Sequence, residues 1–362
     1  MTLEDRFVAV SGKGPGFDHV RLAAASVVLL HHCWLPQHSI RDPLFLYSGG
    51  FVHFGILAVL IFFCLSGFLV VPGLVRTRSV VPYAINRALR IFPALIAVVI
   101  ATMLFVGPAL TSMSWHDYFT SREFWLYAKN MLTSTYDYLP GVTARSGPPV
   151  VVNGALWTLH FEVLAYAALA LMSVAGVLAR RAVFFAVLGV CYVLYILIGF
   201  GHPLAQHLPG RFTTFINLFI YFAVGSGFFL LRDRVPFSGV LAGASVAVML
   251  AALPLGLGPI ILPLCLPYAV IFIGLSSLAE GVPLRRDISY GIYLIHAPTI
   301  VVFLALLPAG TQWWLLAVIV AAATTALAYC CRTFVEEPAL RRKKPLSYWL
   351  QTRSAPWRQA RP

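Results

Sequence analysis

Long apolar runs broken by short arginine clusters leave this chain one class of fold. A run of about 18 residues or more is long enough to cross the roughly 30 Å hydrocarbon core as a helix, and backbone in lipid must satisfy its polar groups internally. Of 362 residues, 60% are hydrophobic and 11% charged, where a soluble domain carries about 25% charged residues. The sequence therefore predicts an all-α polytopic membrane protein with about ten transmembrane helices. The spans are read near 19–36, 50–75, 91–110, 154–178, 182–200, 213–231, 236–254, 259–280, 287–307 and 312–333. An amphipathic stretch at 81–90 leads into the third span, and a segment rich in Tyr, Trp, Ser, Thr and Pro at 111–153 forms the longest loop. Pro254, Gly256, Gly258, Pro259, Pro263 and Pro267 predict kinked or broken helices in the seventh-to-eighth region.

The net charge of +13 points to topology rather than to nucleic acid. Its basic residues fall in short clusters between apolar runs: Arg76/Arg78, Arg87/Arg90, Arg180/Arg181, Arg232/Arg234, Arg285/Arg286 and Arg341–Lys344. With a crossing at each run, most Lys and Arg lie on the side where the chain starts. The positive-inside rule then makes both termini cytoplasmic and the location a cell (inner) membrane, crossed many times. The polar first 17 residues and the lack of a small-residue cleavage site predict that the first span is retained. One transmembrane domain is expected over 1–340, with a basic cytoplasmic tail at 341–362. All six cysteines lie in apolar runs, which predicts neither disulfides nor a metal site.

The chemistry is concentrated in a few polar side chains. Arg21 and His32 are eleven positions apart, about three helical turns and roughly 16 Å, so they share one face of the first span. That places the arginine at one membrane surface and the histidine near the midplane. Glu162 lies about 13 Å into the fourth span, and His296 reaches a similar depth in the ninth. Ionisable groups at such depth are tolerated when they face one another or a wet cavity, and they mark functional sites. A neutral core histidine bonded to a carbonyl and a protonated structural carboxyl are the plainer alternatives. His31, about 100° round the helix from His32, is expected simply to pack. Ser289, Tyr293 and His296 form one polar stripe on the ninth span. Arg87 and Arg90 share a helical face at the cytoplasmic surface; they satisfy the positive-inside rule, and their guanidinium forks also suit phosphate.

These residues resemble a known family. Arg21 followed by ten residues and His32 looks like the Arg/Lys-x10-His signature of the acyltransferase-3 integral membrane O-acyltransferases. Phe62–Phe68 (FFCLSGF), Arg87-x-x-Arg90 before Ile91-Phe92-Pro93, Trp157–Glu162 (WTLHFE), Ser289–His296 (SYGIYLIH) and Glu336-Glu337-Pro338 resemble five further elements of that family, in order. The resemblance implies an acyltransferase of the class transferring groups other than amino-acyl groups. It would move an acyl group, expected to be acetyl from acetyl-CoA, to a hydroxyl of a carbohydrate, a lipid-linked glycan or a small metabolite. Acyl-CoA is then a co-substrate, and no bound cofactor is expected.

On this reading His32, matching the family's essential histidine, is the general base, and Glu162 orients its imidazole. His296 and Tyr293 donate to the developing oxyanion or position the acceptor. Arg21, Arg87 and Arg90 hold the CoA phosphates, while Ser66 and Gly67 let the pantetheine arm pass. The alternative is a proton-coupled transporter or flippase, whose buried His and Glu would relay protons.

Overall fold

The computed structural model describes residues 1–12, 14–77, 79–144, 147–277, 284 and 286–343. Lys13, Arg78, Arg145, Arg285 and the tail from 344 onward lie outside the described residues. Ten helices of 14 residues or more are present among those described: α1 (Phe17–His38), α2 (Phe54–Thr77), α3 (Val80–Ala101), α4 (Trp157–Val174), α5 (Arg181–Gly199), α6 (Gly210–Leu230), α7 (Gly239–Ala252), α8 (Gly258–Leu275), α9 (Ser289–Leu306) and α10 (Trp313–Cys331).

Eight of these, α3 and α10 counted with their continuations, are long and apolar enough to cross a bilayer. The other two fall short of the expected ten spans for separate reasons. α1 has 22 residues, but Asp18, His19, Arg21, His31, His32 and His38 dilute its apolar character. α7 has 14 residues, about 21 Å of helix, less than the thickness of the hydrocarbon core.

The amphipathic stretch at 81–90 and the third span it leads into are a single element. Residues 80–110 form one continuous helical span of 31 residues. Pro93 is accommodated inside α3, and a π-helical turn, Thr102–Val106, carries the helix on to Gly107–Leu110. α10 is built alike, with a π-helical turn at Arg332–Glu336 and a final turn at Glu337–Arg341. The expected interruption of the seventh-to-eighth region falls between α7 and α8, where Gly256 takes a positive φ of 71°. Pro263 and Pro267 stay inside α8.

The chain divides into two compact units, 1–76 with 161–287, and 77–160 with 288–362. In the first unit, α2 and α6 meet backbone to backbone. A Cβ on Gly67 would lie 2.0 Å from the Phe222 carbonyl oxygen, and one on Gly225 would lie 2.4 Å from that of Cys64. Ser226 Oγ donates across the same crossing to the Gly67 carbonyl, 3.1 Å away. Small residues here allow the close approach that helix packing in lipid requires, where no hydrophobic force drives helices together.

A buried carboxylate ties α1 to α2 in the same unit. Asp42 Oδ1 accepts from Phe45 N at 2.8 Å, capping the short helix Pro43–Tyr47. Its Oδ2 accepts from Phe54 N at 2.8 Å, at the start of α2.

In the second unit, the polar loop after α3 contains two short helices, Trp115–Thr120 and Arg122–Ala128, each opened by a serine cap. Tyr118 anchors it: the ring is fully buried and its hydroxyl donates to the Met103 carbonyl at 2.8 Å.

Candidate active site

His32 sits half-buried on α1, and its Nδ1 is 2.8 Å from the Val28 carbonyl one turn back. A carbonyl oxygen only accepts, so Nδ1 carries the proton and Nε2 carries the basic lone pair. The helix itself thus sets the tautomer that a general base requires. His296 on α9 is fully buried and held in the same way, with Nδ1 donating to the Ile292 carbonyl at 3.1 Å.

Glu162, on α4, belongs to a small polar network. The Tyr166 hydroxyl, one turn on, donates to Glu162 Oε1 at 2.5 Å, and the Ser66 hydroxyl of α2 lies 3.5 Å from the same oxygen. Tyr166 and Ser66 are 3.2 Å apart. Among the described residues Glu162 is therefore bonded to two hydroxyls, whereas the sequence reading gave it the His32 imidazole. Ser66 and Glu162, assigned to separate tasks from the sequence, are brought together. Gly67 beside them is committed to the α2–α6 crossing, which accounts for its lack of a side chain without any passing ligand.

His31 is a correction of a different kind. Expected simply to pack, it is buried, and its Nδ1 lies 3.1 Å from Asp42 Oδ2. Its ring is stacked on His53 at 4.5 Å. The ligating atoms of His31, Asp42 and His53 lie within 4.8 Å of one another, the spacing of a metal-ligand set. Yet Asp42 already serves two backbone amides, and His53 Nδ1 accepts from Ile56 N at 3.2 Å. These bonds describe a capping knot that fixes where α2 begins relative to α1. The Asp42-Pro43 pair, a helix-start signature, was the available signal for the cap; its histidine partners come from tertiary structure.

Arg21, at the start of α1, pairs with Asp18 at 2.9 Å and approaches Asp287 at 3.9 Å. His32, Glu162, Ser66 and Arg21 all fall in the first unit; His296, Tyr293, Arg87 and Arg90 fall in the second.

In the second unit, the Tyr293 hydroxyl donates to the Ala155 carbonyl at 2.9 Å and lies 2.5 Å from Thr158 Oγ1. Those bonds fasten α9 to the turn that opens α4. Asn153 Nδ2 adds a buried bond to the Leu294 carbonyl at 2.9 Å. The stripe of Ser289, Tyr293 and His296 is buried throughout. Arg90 Nη1 reaches Glu336 Oε2 at 3.1 Å, and its guanidinium lies 5.5 Å from the centre of the Tyr290 ring. Arg332 Nη1 meets the same carboxylate oxygen at 2.9 Å.

Two curated relatives set this arrangement in context. The chain is 30% identical to nodulation protein 10 of Rhizobium leguminosarum bv. viciae over 376 aligned positions, 93% of this chain and 96% of the relative. It is 34% identical to the O-acetyl transferase of Shigella phage Sf6 over 151 positions, 41% of this chain and 43% of that protein. No solved structure matches it significantly. Residues 15–333 match the family described as an acyltransferase domain. With nearly its whole length covered by that match, the chain belongs to the acyltransferase-3 family and is a multi-pass membrane acyltransferase.

Proposed function

We propose that the protein transfers an acetyl group from acetyl-CoA to a hydroxyl of a carbohydrate, a lipid-linked glycan or a small metabolite. The observation that carries the reading is the tautomer of His32. Its Nδ1–H is spent on the Val28 carbonyl, which leaves Nε2 as the base in a chain whose family performs acyl transfer. The name of the phage relative, an O-acetyl transferase, supports acetyl as the group and a hydroxyl as its destination.

In this mechanism the acceptor hydroxyl attacks the thioester carbonyl as His32 Nε2 takes its proton. The tetrahedral intermediate collapses with cleavage of the C–S bond. The thiolate recovers the proton from the imidazolium, so the products are an ester and free CoA. Glu162, anchored by Tyr166 and Ser66, contributes negative charge that favours the imidazolium and a polar anchor for the acceptor. His296 and Tyr293 act toward the oxyanion and the acceptor. Arg21, Arg87 and Arg90 hold the phosphates of the donor, for which guanidinium forks are the suited partners. The basic clusters support a cell inner-membrane location with both termini and these arginines on the cytoplasmic side.

Calorimetry of acetyl-CoA with the purified protein tests the donor. Saturable binding by the wild type, weakened at least tenfold in Arg87→Ala/Arg90→Ala, is the expected result. Equal binding by the two proteins would contradict the assignment of these arginines.

A further inference from the structure

Asn153 stands immediately before the short helical turn Gly154–Leu156 that leads into α4. Asparagine at such a position ordinarily turns its side chain back to cap the helix, but here it makes no cap bond. Its Nδ2 reaches instead to α9 and donates to the Leu294 carbonyl at 2.9 Å. Pro298 explains the detour. A helical carbonyl accepts from the N–H four residues on, and for Leu294 that residue is Pro298, inside α9, which has no N–H to give. A carbonyl freed by proline within a membrane helix has to be satisfied by a neighbour, and Asn153 is that neighbour.

The amide is only half used. Asn153 is 2% exposed, and its Oδ1 is buried without a hydrogen-bond partner among the described residues. Reversing the amide would set Oδ1 against the Leu294 oxygen, so the bond itself fixes the orientation. One bond made and one buried oxygen left unpaired roughly offset each other, so stability alone does not account for an asparagine here. Placement does. The turn that Asn153 ties down carries His296, between Leu294 and Pro298, whose Nδ1 donates to the Ile292 carbonyl. Tyr293 fastens the same turn at a second point, to Ala155 and Thr158. Proline removes the helical bond that would hold this turn from its C-terminal side, and a side chain from the entry of α4 replaces it.

We infer that Asn153 is a positioning residue for acyl transfer: by giving Leu294 the N–H that Pro298 lacks, it fixes the turn that presents His296. It acts through α9 rather than on the reacting groups. The inference rests on the reading of His296 as a residue that acts toward the oxyanion or the acceptor.

The test is a double-mutant cycle of Asn153→Ala and Pro298→Ala, because alanine at 298 returns the missing N–H to the helix. Turnover per folded molecule is followed as CoA thiol release from acetyl-CoA with a cell-envelope glycan and lipid extract, and stability as thermal unfolding in detergent. Asn153→Ala is expected to lower kcat about 10–100-fold, the scale of a misplaced catalytic group, with the KM for acetyl-CoA nearly unchanged. Its unfolding temperature should fall too, because the Leu294 carbonyl is left unpaired. The double variant is expected to recover both, to the level of Pro298→Ala. Recovered stability without recovered kcat would overturn the inference, as would wild-type kcat in Asn153→Ala or an inactive Pro298→Ala. Should Asn153→Ala fail to fold, the double variant decides: kcat equal to that of Pro298→Ala supports the inference, and a further loss overturns it. His296→Ala separates the inference from the reading beneath it. Wild-type turnover in that variant, or no CoA release by the wild type, overturns both. Impaired turnover in His296→Ala beside normal turnover in Asn153→Ala overturns the role of Asn153 alone.

Discussion

Replacing His32 with alanine is expected to lower acyl transfer by about 10²–10⁴-fold, the usual contribution of a positioned general base. The loss should fall on kcat, with acyl-CoA binding nearly unchanged, because the phosphates are assigned to arginines elsewhere in the chain. The neighbouring histidine supplies the contrast. His31 faces Asp42 and His53, so His31→Ala breaks the capping knot and should lower the unfolding temperature, with turnover per folded molecule largely kept. A swap of these two outcomes, with His32→Ala active and His31→Ala folded but inert, would reassign the base to the adjacent residue.

The second large effect is on folding. Gly67→Leu is expected to cost about 3 kcal/mol or more, the upper end for overpacking a close-packed site. Even a single Cβ there would sit 2.0 Å from the Phe222 carbonyl oxygen, and that neighbour is backbone, so it cannot rotate away. The α2–α6 crossing has to open, and the Ser226 bond to the Gly67 carbonyl is lost with it. Gly73 on the same helix is the internal control, since a Cβ there meets nothing within 4 Å. Gly73→Ala should be neutral or stabilising by up to about 1 kcal/mol, through reduced backbone freedom of the unfolded chain. Thermal unfolding in detergent measures both; a Gly67→Leu protein as stable as wild type would show that the crossing is not tightly packed.

The helices were legible because lipid simplifies the code. An apolar run of sufficient length has few options besides a helix, and each long helix lies within or close to a predicted span. Boundaries were harder. The third span is read from about 91, after an amphipathic stretch leading into it, because Arg87 and Arg90 lower the hydropathy there; the helical span begins at Val80 and runs through both arginines and Pro93 to Leu110. α1 shows the opposite difficulty: the histidines and arginine that carry the chemistry are what lower its hydropathy.

The candidate site was legible at the level of residue type and less so at the level of partners. Helical arithmetic puts Arg21 and His32 on one face, but it cannot show that His32 is bonded to Val28. Nor can it show that Glu162 spends its carboxylate on Tyr166 and Ser66. Tyr166 follows Glu162 by one turn, so that contact was within reach of an i, i+4 argument; Ser66, 96 positions away, was not. Asp42 could be read as a cap, whereas its bond to His31 depends on how α1 and α2 meet. Glu336 was visible as part of a motif, whereas its ion pair with Arg90, 246 positions away, depends on tertiary structure.

The central claim is that the chain performs acyl transfer chemistry by itself, where the competing account makes it a proton-coupled transporter. Its most direct test is to incubate the purified protein in detergent micelles, where no gradient can exist, with acetyl-labelled acetyl-CoA and a cell-envelope glycan and lipid extract. The account predicts release of CoA thiol together with label in hydroxylamine-sensitive ester, both lost in His32→Ala. Well-folded protein that forms no labelled ester in micelles, and acts only in sealed vesicles under a proton gradient, would contradict it.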